Sequence, residues 1–70
     1  MVRKRAYRIL EALARTVLPT AGIRRAVGFD PHPTLGRLRD RGAVVRVPYG
    51  WKLTPLGVHL YHVGRLERLS

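Results

Sequence analysis

The sequence predicts a small, mostly helical α+β domain with the order helix, helix, helix, strand, strand, helix. Three observations carry this. Apolar residues recur at helical spacing on both sides of a central stretch. Within that stretch, "AVVRVPYGWKL" (residues 43–53), the period changes to alternation around Pro-Tyr-Gly. Each change of period falls on Pro, Gly, Thr or Asp, the residues that start and stop helices. The chain of 70 residues has room for one domain, 1–70. A domain of that size buries only roughly 60% of its unfolded surface, so its stability is marginal unless a partner helps.

Residues 3–18 read as the first helix. Ala6, Ile9, Leu10, Leu13, Ala14 and Val17 form one face, and Pro19 stops it. Thr20 is the expected N-cap of a second, short helix, "AGIRRAVG", with Ile23, Ala26 and Val27 inward and Gly28 in the left-handed C-terminal position. Asp30 is the expected cap of a third helix. Pro31 takes its first position, Leu35 and Leu38 point to the core, and Gly42 ends it. With Pro48-Tyr49-Gly50 as a three-residue turn, the hairpin pairs Val47 with Trp51, Arg46 with Lys52 and Val45 with Leu53. Thr54 caps a fourth helix with Pro55 at its first position. Leu56, Leu60, Val63 and Leu66 form one stripe on it, and Val58, Tyr61 and Leu69 a second.

The formal net charge is +10, from 14 basic residues, 12 of them Arg, against four acidic ones. Such an excess repels itself and attracts polyanions, nucleic acid above all. There is no Cys, which excludes disulfides and thiolate metal sites. Asn and Gln are absent and Met occurs once, a composition that points to a hot-living source. No apolar run approaches the length of a membrane span. Arg8, Glu11 and Arg15 interrupt the apolar part of the N-terminal stretch, so it does not read as a signal peptide, and a cytoplasmic location is expected.

The string "TLGRLRDRGAVVR" leading to "WKLTPLG" resembles the winged helix-turn-helix family, the MarR-like and related prokaryotic regulators in particular. Leu35, Leu38, Gly42, Val44, Arg46, Leu53, Thr54 and Gly57 carry the resemblance, which covers roughly residues 6–66. The segment from Gly28 to Gly42 is about one turn shorter than in the family, the wing is very short, and no effector domain is expected. The resemblance implies three helices, a two-stranded β-hairpin wing and a C-terminal helix. It also implies that the third helix enters the DNA major groove while the wing meets the backbone. Arg37 and His32 are then the candidates for base edges, since Arg reads guanine O6 and N7 as a fork. Thr34 and Arg41 fall near phosphate. His32 has a second reading, a local hydrogen bond in the turn.

Arg24 and Arg25 lie on the second helix, which crosses the backbone in such domains. Arg46 and Lys52, presented together by two strands, are the strongest phosphate candidates. Tyr49 and Gly50 form the wing tip, and Trp51 is expected as a core cover beneath it. Arg39 and Asp40 pair locally. Arg3, Lys4 and Arg5 form either a flexible basic arm or a frayed, solubilising end.

No carboxylate pair has acid–base spacing. His59 and His62 lack a third ligand, so no metal or cofactor is expected, nor an enzyme. The terminal helices carry more apolar surface than a monomer needs. That predicts a homodimer with recognition helices about 34 Å apart. The expected function is a sequence-specific, double-stranded-DNA-binding transcriptional regulator. The alternatives are a non-specific architectural DNA- or RNA-binding protein and a winged-helix protein-interaction module.

Overall fold

A computed structural model describes residues 1–69. Three helices, α1 (Lys4–Leu13), α2 (Thr20–Val27) and α3 (His32–Asp40), precede the antiparallel pair β1 (Val44–Val47) and β2 (Gly50–Leu53), and α4 (Pro55–Leu69) follows. The element order and the mostly helical α+β class are those the periodicity predicts. Ile9, Leu10 and Leu13 of α1 meet Ile23 and Val27 of α2, Leu35 and Leu38 of α3, and Ala43, Val44 and Trp51 of the hairpin region in one core. Ala14 and Ala26, placed inward by spacing, are exposed.

The first helix stops at Leu13, well short of residue 18. The residue before a proline is driven to extended backbone, so Pro19 keeps Leu18 out of a helix. Leu18 instead joins the sheet. Its N–H donates to the Trp51 carbonyl at 3.2 Å, and the Trp51 N–H donates to the Leu18 carbonyl at 2.8 Å. This bridge covers the edge of β2 that faces away from β1. Gly50 passes so close to it, at φ 151°, that a Cβ would lie 2.5 Å from the Leu18 carbonyl carbon and oxygen.

The hairpin register differs from the expected one by a single residue. The pairs are Val44 with Leu53, Val45 with Lys52, Arg46 with Trp51 and Val47 with Gly50, around a two-residue Pro48-Tyr49 turn. A one-residue slip exchanges the faces of a strand. Val44 is accordingly buried at 2% exposure and Val45 faces out at 40%. The bridge to Leu18 is consistent with this register. It takes up both backbone polar groups of Trp51, which makes Arg46–Trp51 the non-hydrogen-bonded pair, where side chains stand closest.

Two helix starts also differ in detail. The third helix begins at His32 with Pro31 as its cap, one residue later than the placing of Asp30 as cap and Pro31 as first residue, because the Asp30 carboxylate takes the His32 N–H in a turn before the helix. Thr20 is the first residue of α2 and Pro19 precedes it as the cap. The Thr20 hydroxyl instead accepts a hydrogen bond from Trp51 Nε1 at 3.1 Å. Thr54 caps α4 as expected: its Oγ1 accepts the Gly57 N–H at 3.1 Å while its own hydroxyl donates to the Gly42 carbonyl.

The inward face of α4 is not either apolar stripe. Gly57 and Gly64 are its buried residues. A Cβ on Gly57 would overlap the Ala43 carbonyl oxygen, and one on Gly64 would lie 2.6 Å from Tyr7 Cδ1. Absent side chains thus let α4 sit directly on Ala43, the residue before β1, and on α1. Tyr61 stacks on Tyr7 with ring centroids 5.8 Å apart, and the Arg68 guanidinium covers Tyr7 at 4.1 Å. Arg68 also donates to the Gly64 and Val2 carbonyls at 3.0 and 3.2 Å. Leu60, Tyr61 and Val63 are half-buried, whereas Leu56, Val58, Leu66 and Leu69 are exposed. Arg3 precedes α1, and Lys4 and Arg5 form its first turn.

Candidate nucleic-acid interface

The corner between α2 and α3 is built around one carboxylate. Gly28, at φ 79°, ends α2 in the left-handed conformation, and its N–H closes on the Arg24 carbonyl at 2.8 Å. That turn brings Asp30 beside both helices. Asp30 Oδ1 accepts the His32 backbone N–H at 3.2 Å, lies 2.8 Å from His32 Nδ1, and accepts from Arg24 Nη2 at 3.3 Å. The hydrogen bond with the His32 ring, then the one with its backbone N–H, holds the Asp30 carboxyl below its ordinary value of 3.8, and the Arg24 charge adds to this. The local turn bond read as one possibility for His32 is formed. Its Nε2 is the remaining ring atom that can meet a ligand.

Arg37 and Arg41 are exposed and one turn apart on one side of α3, while Arg39 pairs with Asp40 at 3.5 Å. Thr34 does not face outward. It is buried at 9% exposure and lines the cavity between α3 and the start of α1, so its hydroxyl is withdrawn from the outer surface where phosphate was expected. By helical spacing, the line of α3 opposite Leu35 and Leu38 carries Pro33, Gly36, Arg37 and Asp40. Arg37 is the only cation on it.

The wing does not present Arg46 and Lys52 as a pair. Arg46 shares a face with Trp51, and its guanidinium lies 5.5 Å from the indole centroid. Lys52 stands opposite Val45, on the other face of the ribbon. The register slip separates them. Tyr49 is 73% exposed at the tip, and Arg25 is exposed on α2. Among the described residues, Arg25, Arg37, Arg41, Arg46 and Lys52 have no carboxylate within ion-pair distance.

Two connections were not read from the sequence. Asp30 ties α2 to α3 through Arg24 and His32, and Trp51 ties the wing to α2 through Thr20. The string "FDPH" holds a signal for the first, since Asp followed two residues later by a backbone N–H and a ring nitrogen is an Asx turn with a side-chain partner. The second has no local signal because its partners are 31 residues apart. No group of three or more metal-ligating side chains occurs among the described residues, and no described helix is long and apolar enough to cross a membrane. No family model matches the chain, and no curated protein or solved structure matches it either.

Proposed function

We propose that this chain is a winged helix-turn-helix DNA-binding protein acting in the cytoplasm as a transcriptional regulator. The observation that carries the reading is the set of exposed, unneutralised cations on a helix–helix–hairpin frame: Arg25 on α2, Arg37 on α3 with Arg41 as its C-cap, and Arg46 and Lys52 on the wing. In this mechanism phosphate contacts from α2 and the wing orient α3, and Arg37 with His32 Nε2 meets base edges. The Asp30 and Trp51 connections supply pre-organisation, because they hold α2, α3 and the wing in one arrangement before any duplex arrives. The exposed Val58, Leu66 and Leu69 on α4 support a homodimer through that helix. The outer face of α1 is charged at Arg5, Arg8 and Glu11, so α4 alone offers the surface.

A second reading, non-specific architectural binding, is favoured by the outer line of α3. Arg37 is its only cation, so backbone charge outweighs base-reading groups. One titration separates the two readings. A labelled duplex from the protein's own upstream region and a scrambled duplex are titrated by fluorescence anisotropy across salt concentrations. A preference for the first that persists at higher salt supports the regulator. Equal binding that collapses with salt supports the architectural reading, as counterion release alone predicts. Unchanged duplex affinity at moderate salt after reversing both Arg46 and Lys52 to Glu refutes the wing's role in either.

A further inference from the structure

A cavity of about 840 Å³ opens between the start of α1, one side of α3 and the middle of α4. Its lining is divided by chemistry, and the one carboxylate on it, Asp30, is already held by Arg24 and His32. Leu38 and Val63 are among its apolar floor residues, and Arg3, Lys4, Arg37 and Arg41 belong to its rim. None of these four cations has a carboxylate partner among the described residues. We propose that this groove docks an acidic amphipathic segment of a partner protein, apolar side chains on the floor and carboxylates on the rim.

Charge and shape select that occupant. The cations stand at two separated places, the start of α1 and the flank of α3, so several anionic groups on one segment match them where a single anion cannot. A nucleic-acid backbone satisfies the rim but leaves the apolar floor uncovered, and apolar surface is what helix-in-groove recognition buries. A second copy of this chain is a poor occupant: it carries the same +10 charge, and its four acidic residues, Glu11, Asp30, Asp40 and Glu67, are scattered. Because Arg37 and Arg41 also belong to the proposed duplex-facing helix, a docked segment withdraws them from DNA. That competition rests on the function proposed above; the docking does not.

The probe is a fluorescein-labelled 14-residue peptide of Glu, Leu and Phe patterned as an amphipathic helix, read by anisotropy without DNA. The control is the same composition scrambled to remove the apolar face. The patterned peptide should bind at least tenfold more tightly than the scrambled one. Val63→Asp and Arg41→Glu should each weaken it at least tenfold, and Val45→Asp, on the exposed outer face of the hairpin and outside the groove, should not. Circular dichroism confirms that each variant is folded, and Lys4→Glu on the exposed first turn serves as a second rim variant. Equal binding of the two peptides overturns the proposal, as does indifference to Val63→Asp. Loss of duplex affinity in Val63→Asp matching the loss of peptide affinity also overturns it, and makes the groove a nucleic-acid site. Adding duplex to the bound peptide should release it. A chain that binds the peptide but no duplex refutes the reading of α3 and leaves the groove standing.

Discussion

Gly57 and Gly36 are both helical glycines, and the same substitution should move stability in opposite directions. Replacing Gly by Ala inside a helix usually gains up to about 1 kcal/mol from backbone propensity and the reduced freedom of the unfolded chain. At Gly36 nothing lies within 4 Å of an added Cβ, so that gain should be realised. At Gly57 the Cβ would overlap the Ala43 carbonyl oxygen, lie 3.0 Å from its carbon and 3.3 Å from Leu53 Cδ2. The obstacle is backbone, and the same carbonyl accepts the Thr54 N–H at 3.0 Å, so α4 cannot withdraw without stretching that bond. Overpacking costs about 1–3 kcal/mol and a weakened hydrogen bond about 0.5–1.5 kcal/mol. Set against the propensity gain, Gly57→Ala should lose roughly 1–3 kcal/mol. In a domain of this size each kcal/mol moves Tm by about 4–8 °C. Thermal melts followed by circular dichroism should show Gly36→Ala rising and Gly57→Ala falling. A rise in both would refute the close approach of α4 to Ala43.

Thr54→Ala should cost about 1 kcal/mol of stability through the lost cap; urea unfolding measures it, and an unchanged midpoint counts against the cap. Asp30 has a folded-state pKa below 3.8, so it stabilises the fold fully above that value and loses its contribution as pH falls through the lower folded value. The difference in stability between wild type and Asp30→Asn should therefore shrink on acidification below pH 3.8, and a difference that is flat across that range removes the carboxylate's role. Leu66→Lys should convert a dimer to a monomer in sedimentation velocity. A wild-type chain that already sediments as a monomer refutes the α4 interface.

The parts of the fold written in local pattern were legible. Ile9, Leu10 and Leu13 repeat at helical spacing, Gly28 and Thr54 are end signals whose mechanism is confined to a few residues, and the alternation after Gly42 marks the strands. What the pattern did not show depends on contacts distant in sequence. The pairing of Leu18 with Trp51 spans 33 residues, and the register of β1 depends on a turn of two residues where the spacing predicts three. The inward face of α4 was hidden for another reason: hydrophobic periodicity counts side chains, and the buried residues there are two glycines. The same limits apply to the candidate interface. Arg24, Arg25, Arg37, Arg41, Tyr49 and Lys52 are exposed as expected, and His32 makes its local bond. Thr34 is buried, and Arg46 and Lys52 are parted by a one-residue slip that alternation alone cannot fix.

The Leu18 bridge also bears on how copies of this chain behave towards one another. A two-stranded ribbon has two open edges, each a template for strand addition by another molecule. Here Leu18 already occupies one edge at Trp51, and the tight pass at Gly50 leaves no room beside it. The edge left open is that of β1, where Arg46 stands mid-strand and Pro48 follows directly. A neighbour seeking to extend the sheet meets a guanidinium, a residue without an N–H, and another body of charge +10. Strand addition is thereby restricted on both sides of a ribbon only four residues long.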